Sequence, residues 1–73
     1  VDFVILEDGK TTALYQVCFD LTDEDTQKRE IKPLLKAGKT FNCQNLYLLT
    51  LEKPDSLKLS PEIKLVTAAE FLL

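Results

Sequence analysis

Val1-Asp2-Phe3-Val4-Ile5-Leu6, then Asp8-Gly9, then Ala13-Leu14-Tyr15-Gln16-Val17-Cys18-Phe19-Asp20, reads as a β-hairpin. An Asp-Gly pair between apolar runs is a strong hairpin signal, because both residues tolerate the left-handed backbone of a tight turn. The first strand, over Val1 to Leu6, is apolar on both faces, which predicts a strand covered on two sides. The second runs from about Thr11 to Asp20. Tyr15, Val17 and Phe19 point one way; Leu14, Gln16 and Cys18 point the other, since side chains alternate along a strand. Asp2 interrupts the first strand, and Gln16 and Cys18 share a face of the second.

A helix follows. Thr22, with Asp25 on the first turn, predicts its cap, and Asp23, Glu24 and Asp25 suit the positive end of the helix dipole. Ile31, Leu34, Leu35 and Gly38 recur at helical spacing and make one apolar face. Pro33 lacks an N–H, so it predicts a kink or a split there. Gly38 predicts the stop. Leu46 to Leu51 is almost continuously apolar and predicts a central, buried third strand. Leu57-Lys58-Leu59 and Ile63-Lys64-Leu65-Val66 alternate and predict short, half-exposed strands. Thr67-Ala68-Ala69-Glu70 is a capping box that opens a short last helix. The pattern gives an α/β or α+β fold: a mixed sheet of four or five strands with a crossover helix.

The chain has 73 residues, a net charge of −3 and 45% hydrophobic residues. That is one domain at most, too apolar for disorder and without a global attraction to polyanions or anionic lipid. The start in mid-strand, without Met, predicts a fragment of a longer polypeptide. No apolar run approaches the ~20 residues of a membrane span, and no signal peptide is visible. A cytoplasmic setting without a membrane partner is expected. The two cysteines, Cys18 and Cys43, are expected to be reduced. With no histidine, any catalysis would run on carboxylates, Lys, Tyr or Cys.

Several patterns carry chemistry in principle. Pro33 to Thr40 matches the tail of a phosphate-binding loop, but Pro33 replaces the first glycine, and the order of helix and strand is reversed. The plain reading is a helix end. Lys28, Lys32, Lys36 and Lys39 form one helical stripe with Arg29 beside it. Lys28, Lys32 and Lys36 are candidates for contact with phosphates; the alternative is a solvated helix face. Asp20, Asp23, Glu24 and Asp25 lack the spacing and glycine of a calcium loop and read as helix capping. Asp2 and Gln16 are candidate metal ligands, since magnesium-dependent phosphodiester hydrolysis needs hard oxygens on adjacent strands. The site also needs a cation, and Cys18 cannot supply one. The bland reading leaves Asp2 on backbone or water, Gln16 on a neighbour and Cys18 packed as a small hydrophobe.

In the order of these residues the chain resembles the C-terminal nuclease-like domain of many archaeal and bacterial AAA+ ATPases, related to the PD-(D/E)xK, restriction-endonuclease-like superfamily. The likeness starts at Val1-Asp2-Phe3-Val4 and Ala13 to Asp23. It continues through Lys28-Arg29-Glu30-Ile31 and Leu46 to Thr50, and ends with Ile63 to Leu73. It implies a restriction-endonuclease-like core truncated at its N-terminus. Asp2 falls at the first acid of the superfamily's site, Gln16 at the second acid and Cys18 at the lysine. The expected function is therefore a non-catalytic accessory domain of a larger ATPase with a degraded metal site and no cofactor. Its partner would be the missing ATPase part, a second copy or nucleic acid. The alternative is a magnesium-dependent nuclease active only in the full-length protein.

Overall fold

The structure is a computed structural model and describes residues 1–54 and 59–73. Its elements are β1 (Phe3–Glu7), β2 (Lys10–Val17), α1 (Glu24–Thr40), β3 (Leu46–Thr50), β4 (Ile63–Thr67) and α2 (Ala68–Leu72). They form an α+β fold around one four-stranded sheet in the order β1-β2-β3-β4. β1 is antiparallel to β2, while β2–β3 and β3–β4 are parallel. The sheet is therefore mixed, with α1 as the crossover between β2 and β3. Of the expected Leu57–Leu59 strand, Leu57 and Lys58 lie outside the described residues, and Leu59 packs on the core outside any strand.

The hairpin turn forms as the sequence dictates. Asp8 and Gly9 have φ of 52° and 76°, the double left-handed turn that matches strand twist. β1 itself departs from expectation. It is an edge strand and exposed throughout, from 43% at Val4 and Ile5 to 62% at Leu6. Apolar residues on both of its faces are not matched by cover on both sides. β2 also ends earlier than expected, at Val17, so Cys18 lies one residue beyond it. The Cys18 N–H still donates to the Leu49 carbonyl at 2.8 Å, which prolongs the parallel ladder.

α1 begins one residue later than Thr22 predicts. Asp23 is the N-cap, and its carboxylate accepts the Asp25 N–H at 3.3 Å and the Thr26 hydroxyl at 3.2 Å. Thr22 instead donates its N–H and hydroxyl to Asp20, at 3.0 and 2.6 Å. The helix runs unbroken through Pro33 and past Gly38 to Thr40. Pro33 is on the exposed side, where the loss of one N–H leaves a carbonyl that water can reach. Gly38 does not end the helix; it lets the helix approach the sheet. A Cβ there would sit 2.9 and 3.0 Å from the Leu46 methyls and 3.2 Å from the Cys43 carbonyl oxygen.

The core lies between α1 and one face of the sheet. It is made of Leu14, Leu21, Leu34, Cys43, Leu46, Leu48 and Ile63, with Ile31 and Leu35 packed against it. Each fully buried leucine is worth ~1.5–3 kcal/mol over an exposed one. β3 is the buried central strand that its apolar run predicts. α2 opens with the expected capping box: the Thr67 N–H donates to Glu70 Oε1 at 3.0 Å, and the Glu70 N–H to Thr67 Oγ1 at 3.2 Å. No helix among the described residues is long and apolar enough to cross a membrane.

Candidate functional site

Asp2 lies just before β1, beside the end of β2. Its N–H donates to the Tyr15 carbonyl at 2.9 Å, and its carboxylate oxygen Oδ2 accepts the Val17 N–H at 2.8 Å. A side chain thus takes the place of a backbone carbonyl at the end of the ladder. The stray acid of the first strand has a structural partner, and one of its oxygens is spent on it.

Gln16 sits on β2 with its side chain toward α1. Its Nε2 donates to Glu30 Oε2 at 2.6 Å, and its Oε1 is buried with no hydrogen-bond partner. Glu30 is the residue that the sequence reading missed as a site member. Gln27, Glu30, Ile31 and Leu34 recur at helical spacing, so an acid falls on the stripe that α1 turns to the sheet. That was a readable signal, of the same kind as Asp2 in its strand. Gln27, on the same stripe, is buried and donates its amide to the Leu21 carbonyl, which ties the helix start to the loop before it.

Cys18 packs partly buried against the core, and its thiol donates to the Asp20 carbonyl at 3.3 Å. Burial pushes the thiol above its ordinary range, and the carboxylates of Glu30 and Asp20 push the same way. A backbone hydrogen bond at Asp20 and the Arg29 guanidinium pull against them. Cys18 is therefore a neutral donor. Asp20 is held below the usual carboxylate range by the Thr22 hydroxyl and N–H.

Gln16 and Cys18 thus meet Glu30 of α1 at one end of β2, while Asp2 at the same end is bound to the β2 backbone. Magnesium prefers six oxygens in a near-octahedral shell. Among the described residues no group of three or more His, Cys, Asp or Glu could hold a metal ion. By themselves these residues do not fit a magnesium site. No protein-family profile, no curated protein and no solved structure matches this chain.

Lys28, Lys32, Lys36 and Lys39 are all exposed on α1, and none forms an ion pair among the described residues. Glu30 is turned inward to Gln16, so it does not neutralise the stripe. The segment resembling a phosphate-binding loop, Pro33 to Thr40, lies wholly inside α1, where its N–H groups serve the helix. The Thr40 hydroxyl donates back to the Lys36 carbonyl at 3.1 Å. A cleft of about 420 Å³ opens at the far end of α1, near Gly38, Cys43 and Glu62, and no residue of the candidate site lines it.

Proposed function

We propose that this chain is a non-catalytic, nuclease-like accessory domain of a larger ATPase, with a restriction-endonuclease-like core and a degraded metal site. It acts by contact with the rest of its chain, with another protein or with nucleic acid. The observation that carries this reading is how its would-be site is occupied. Asp2 is engaged by the Val17 N–H, Gln16 by Glu30, and Cys18 is an uncharged thiol. Hydrolysis of a phosphodiester at such a site would lack both a full set of oxygens and the cation that stabilises developing charge. A nucleic-acid contact would fall on Lys28, Lys32 and Lys36, whose charges are free to meet phosphates.

A second reading, a magnesium-dependent nuclease completed in the full-length protein, draws on one observation. The Gln16 amide turns its Nε2 to the Glu30 carboxylate and leaves its Oε1 buried without a partner, so one unsatisfied oxygen lies next to a carboxylate between β2 and α1. The third ligand and the cation would come from elsewhere.

The test is an NMR titration of the labelled domain with magnesium and then manganese, beside a plasmid-cleavage assay of the full-length protein. The accessory reading expects no localised shifts or broadening at Asp2, Gln16, Cys18 or Glu30, and no cleavage. Paramagnetic broadening centred on Gln16 and Glu30, with cleavage abolished by Glu30→Ala, would replace it with the nuclease.

A further inference from the structure

β1 is a free edge of the sheet, with no neighbouring strand on its outer side among the described residues. Natural edge strands are blunted by lysine, proline or a bulge that twists the strand away. The sequence of β1, Phe3-Val4-Ile5-Leu6-Glu7, has neither lysine nor proline. Its pairing with β2 does shift register between Ile5 and Leu6, but the extra residue there is Thr12, on β2. The outer edge of β1 therefore stays regular. Val4, Ile5 and Leu6 are 43, 43 and 62% exposed, so side chains on both faces of this strand await cover. The chemistry that satisfies such an edge is another extended strand with apolar residues on both faces.

We propose that the strand is supplied by a second copy of this chain, β1 pairing antiparallel with β1 about a two-fold axis at Val4. The inference rests on the interaction-domain reading above and names the partner. A two-fold contact uses the same patch twice, so it must be self-complementary. Centred on Val4, it sets Phe3 opposite Ile5 and Asp2 opposite Leu6, and acid never faces acid. Moved one residue to Ile5, it would set Asp2 opposite Asp8, which like-charge repulsion opposes. Strand pairing alone covers less than the ~800 Å² per partner of a standard interface. The rest is at hand beside the strand. A cleft of about 390 Å³ is lined by Phe3, Ile5, Tyr15 and Phe71 among others, and Phe71 and Leu72 at the end of α2 are 48 and 80% exposed. In this register Phe3 and Ile5 of the second copy extend the same apolar face. Each copy carries a net charge of −3, so added salt tightens the dimer by screening their repulsion.

Sedimentation equilibrium of the 73-residue chain, from micromolar to millimolar concentration and at low and high salt, tests this. The expected result is a monomer–dimer equilibrium that tightens with salt. Val4→Lys places two cations at the axis and is expected to raise the dissociation constant at least about tenfold. Leu6→Lys, at the most exposed position of β1, should act in the same direction. Isotope-filtered contacts between Phe3 of one copy and Ile5 of the other should be seen in a mixed-label sample. A chain that stays monomeric throughout, or a dimer that both variants leave intact, overturns the proposal. A monomer without metal-dependent cleavage removes the dimer and leaves the accessory reading. A dimer that cleaves DNA removes that reading and leaves the edge pairing.

Discussion

The two faces of the sheet are made by alternate residues of the same strands, yet they are built for different conditions. Under α1, Leu14, Leu46 and Leu48 are 0, 4 and 0% exposed. Across the sheet, Phe3, Tyr15, Tyr47 and Lys64 stand side by side on successive strands. Tyr15 stacks on Tyr47 at 4.6 Å, Phe3 and Phe71 meet Tyr15 edge-on, and the Lys64 ammonium lies 5.6 Å from the Tyr47 ring centre. Rings with polar tips and a cation over one of them tolerate water; packed leucines do not. Folding free energy is therefore concentrated in the layer under α1, and the capacity for contact in the other face and its β1 edge.

The largest effect that would break this comparison is at Leu48, wholly buried in the central strand. Leu48→Ala should cost about 3 kcal/mol or more, the range for a leucine that leaves a cavity. In a small domain that is most of the total stability. Urea unfolding reads it directly. Tyr47→Leu on the opposite face should cost about 1 kcal/mol, the worth of a ring pair beyond its area. Equal losses at the two positions would mean that stability is not concentrated under α1.

Gly38 comes next. In an exposed helix, Gly→Ala gains ~1 kcal/mol. Here the new Cβ meets the Leu46 methyls and the Cys43 carbonyl, and Leu46 is held in the core and cannot swing away. Overpacking of this kind costs ~1–3 kcal/mol. Gly38→Val should therefore lower stability by about 2 kcal/mol, and Gly38→Ala should lose rather than gain. A more stable Gly38→Ala protein would show that α1 can lift from β3 at little cost.

The hairpin, α1, the buried β3 and the capping box of α2 were legible in the sequence, because each rests on local chemistry: a turn pair, a helical period, an unbroken apolar run, a Thr with Glu after it. The exposure of β1 was not. An apolar strand reads alike whether it is central or at an edge, and only the strand order decides. Gly38 read as a helix stop because glycine serves both as a terminator and as a point of close approach, and sequence alone does not separate the two. Of the candidate site, Asp2, Gln16 and Cys18 were found as departures from strand alternation. Glu30 is not among the residues the sequence pattern singles out, although its place beside Ile31 and Leu34 sets it on the stripe that faces the sheet.

Thr67 tests the open face more gently. Its hydroxyl caps α2, whose Phe71 ring lies 5.6 Å from Tyr15. Thr67→Ala should cost about 1 kcal/mol, the usual worth of such a cap, with the change confined to α2 and the Tyr15 and Tyr47 resonances. The Glu70 carboxyl is held below its ordinary range chiefly by the Thr67 N–H, so its half of the capping box is intact above the unfolded glutamate value of 4.5 and is lost as pH falls through the lower folded value. Acid should therefore loosen α2 through one half of the capping box, as Thr67→Ala does through the other, before the core under α1 responds.

The smallest effect concerns the polar interruption in the covered face, where Gln16 meets Glu30 beside Cys18. Burial is the main reason that the Cys18 thiol is held above its ordinary value of 9.0, and Glu30 is a lesser one. Because the folded value is raised, the stability linked to this thiol is fully present below about 9.0 and is lost as pH rises through the higher folded value. In a Cys43→Ala background, Glu30→Gln should move the thiolate absorbance curve to lower pH but not as far as a free thiol, since burial remains. Reaction with iodoacetamide should quicken in the same sense, because the thiolate is the nucleophile. If Glu30→Gln leaves the curve where it was, the carboxylate does not act on the sulfur, and Glu30 belongs to Gln16 alone. If the curve falls all the way to the free-thiol value, Cys18 has been released from the core, and the layer under α1 opens more readily at this end than at Leu48.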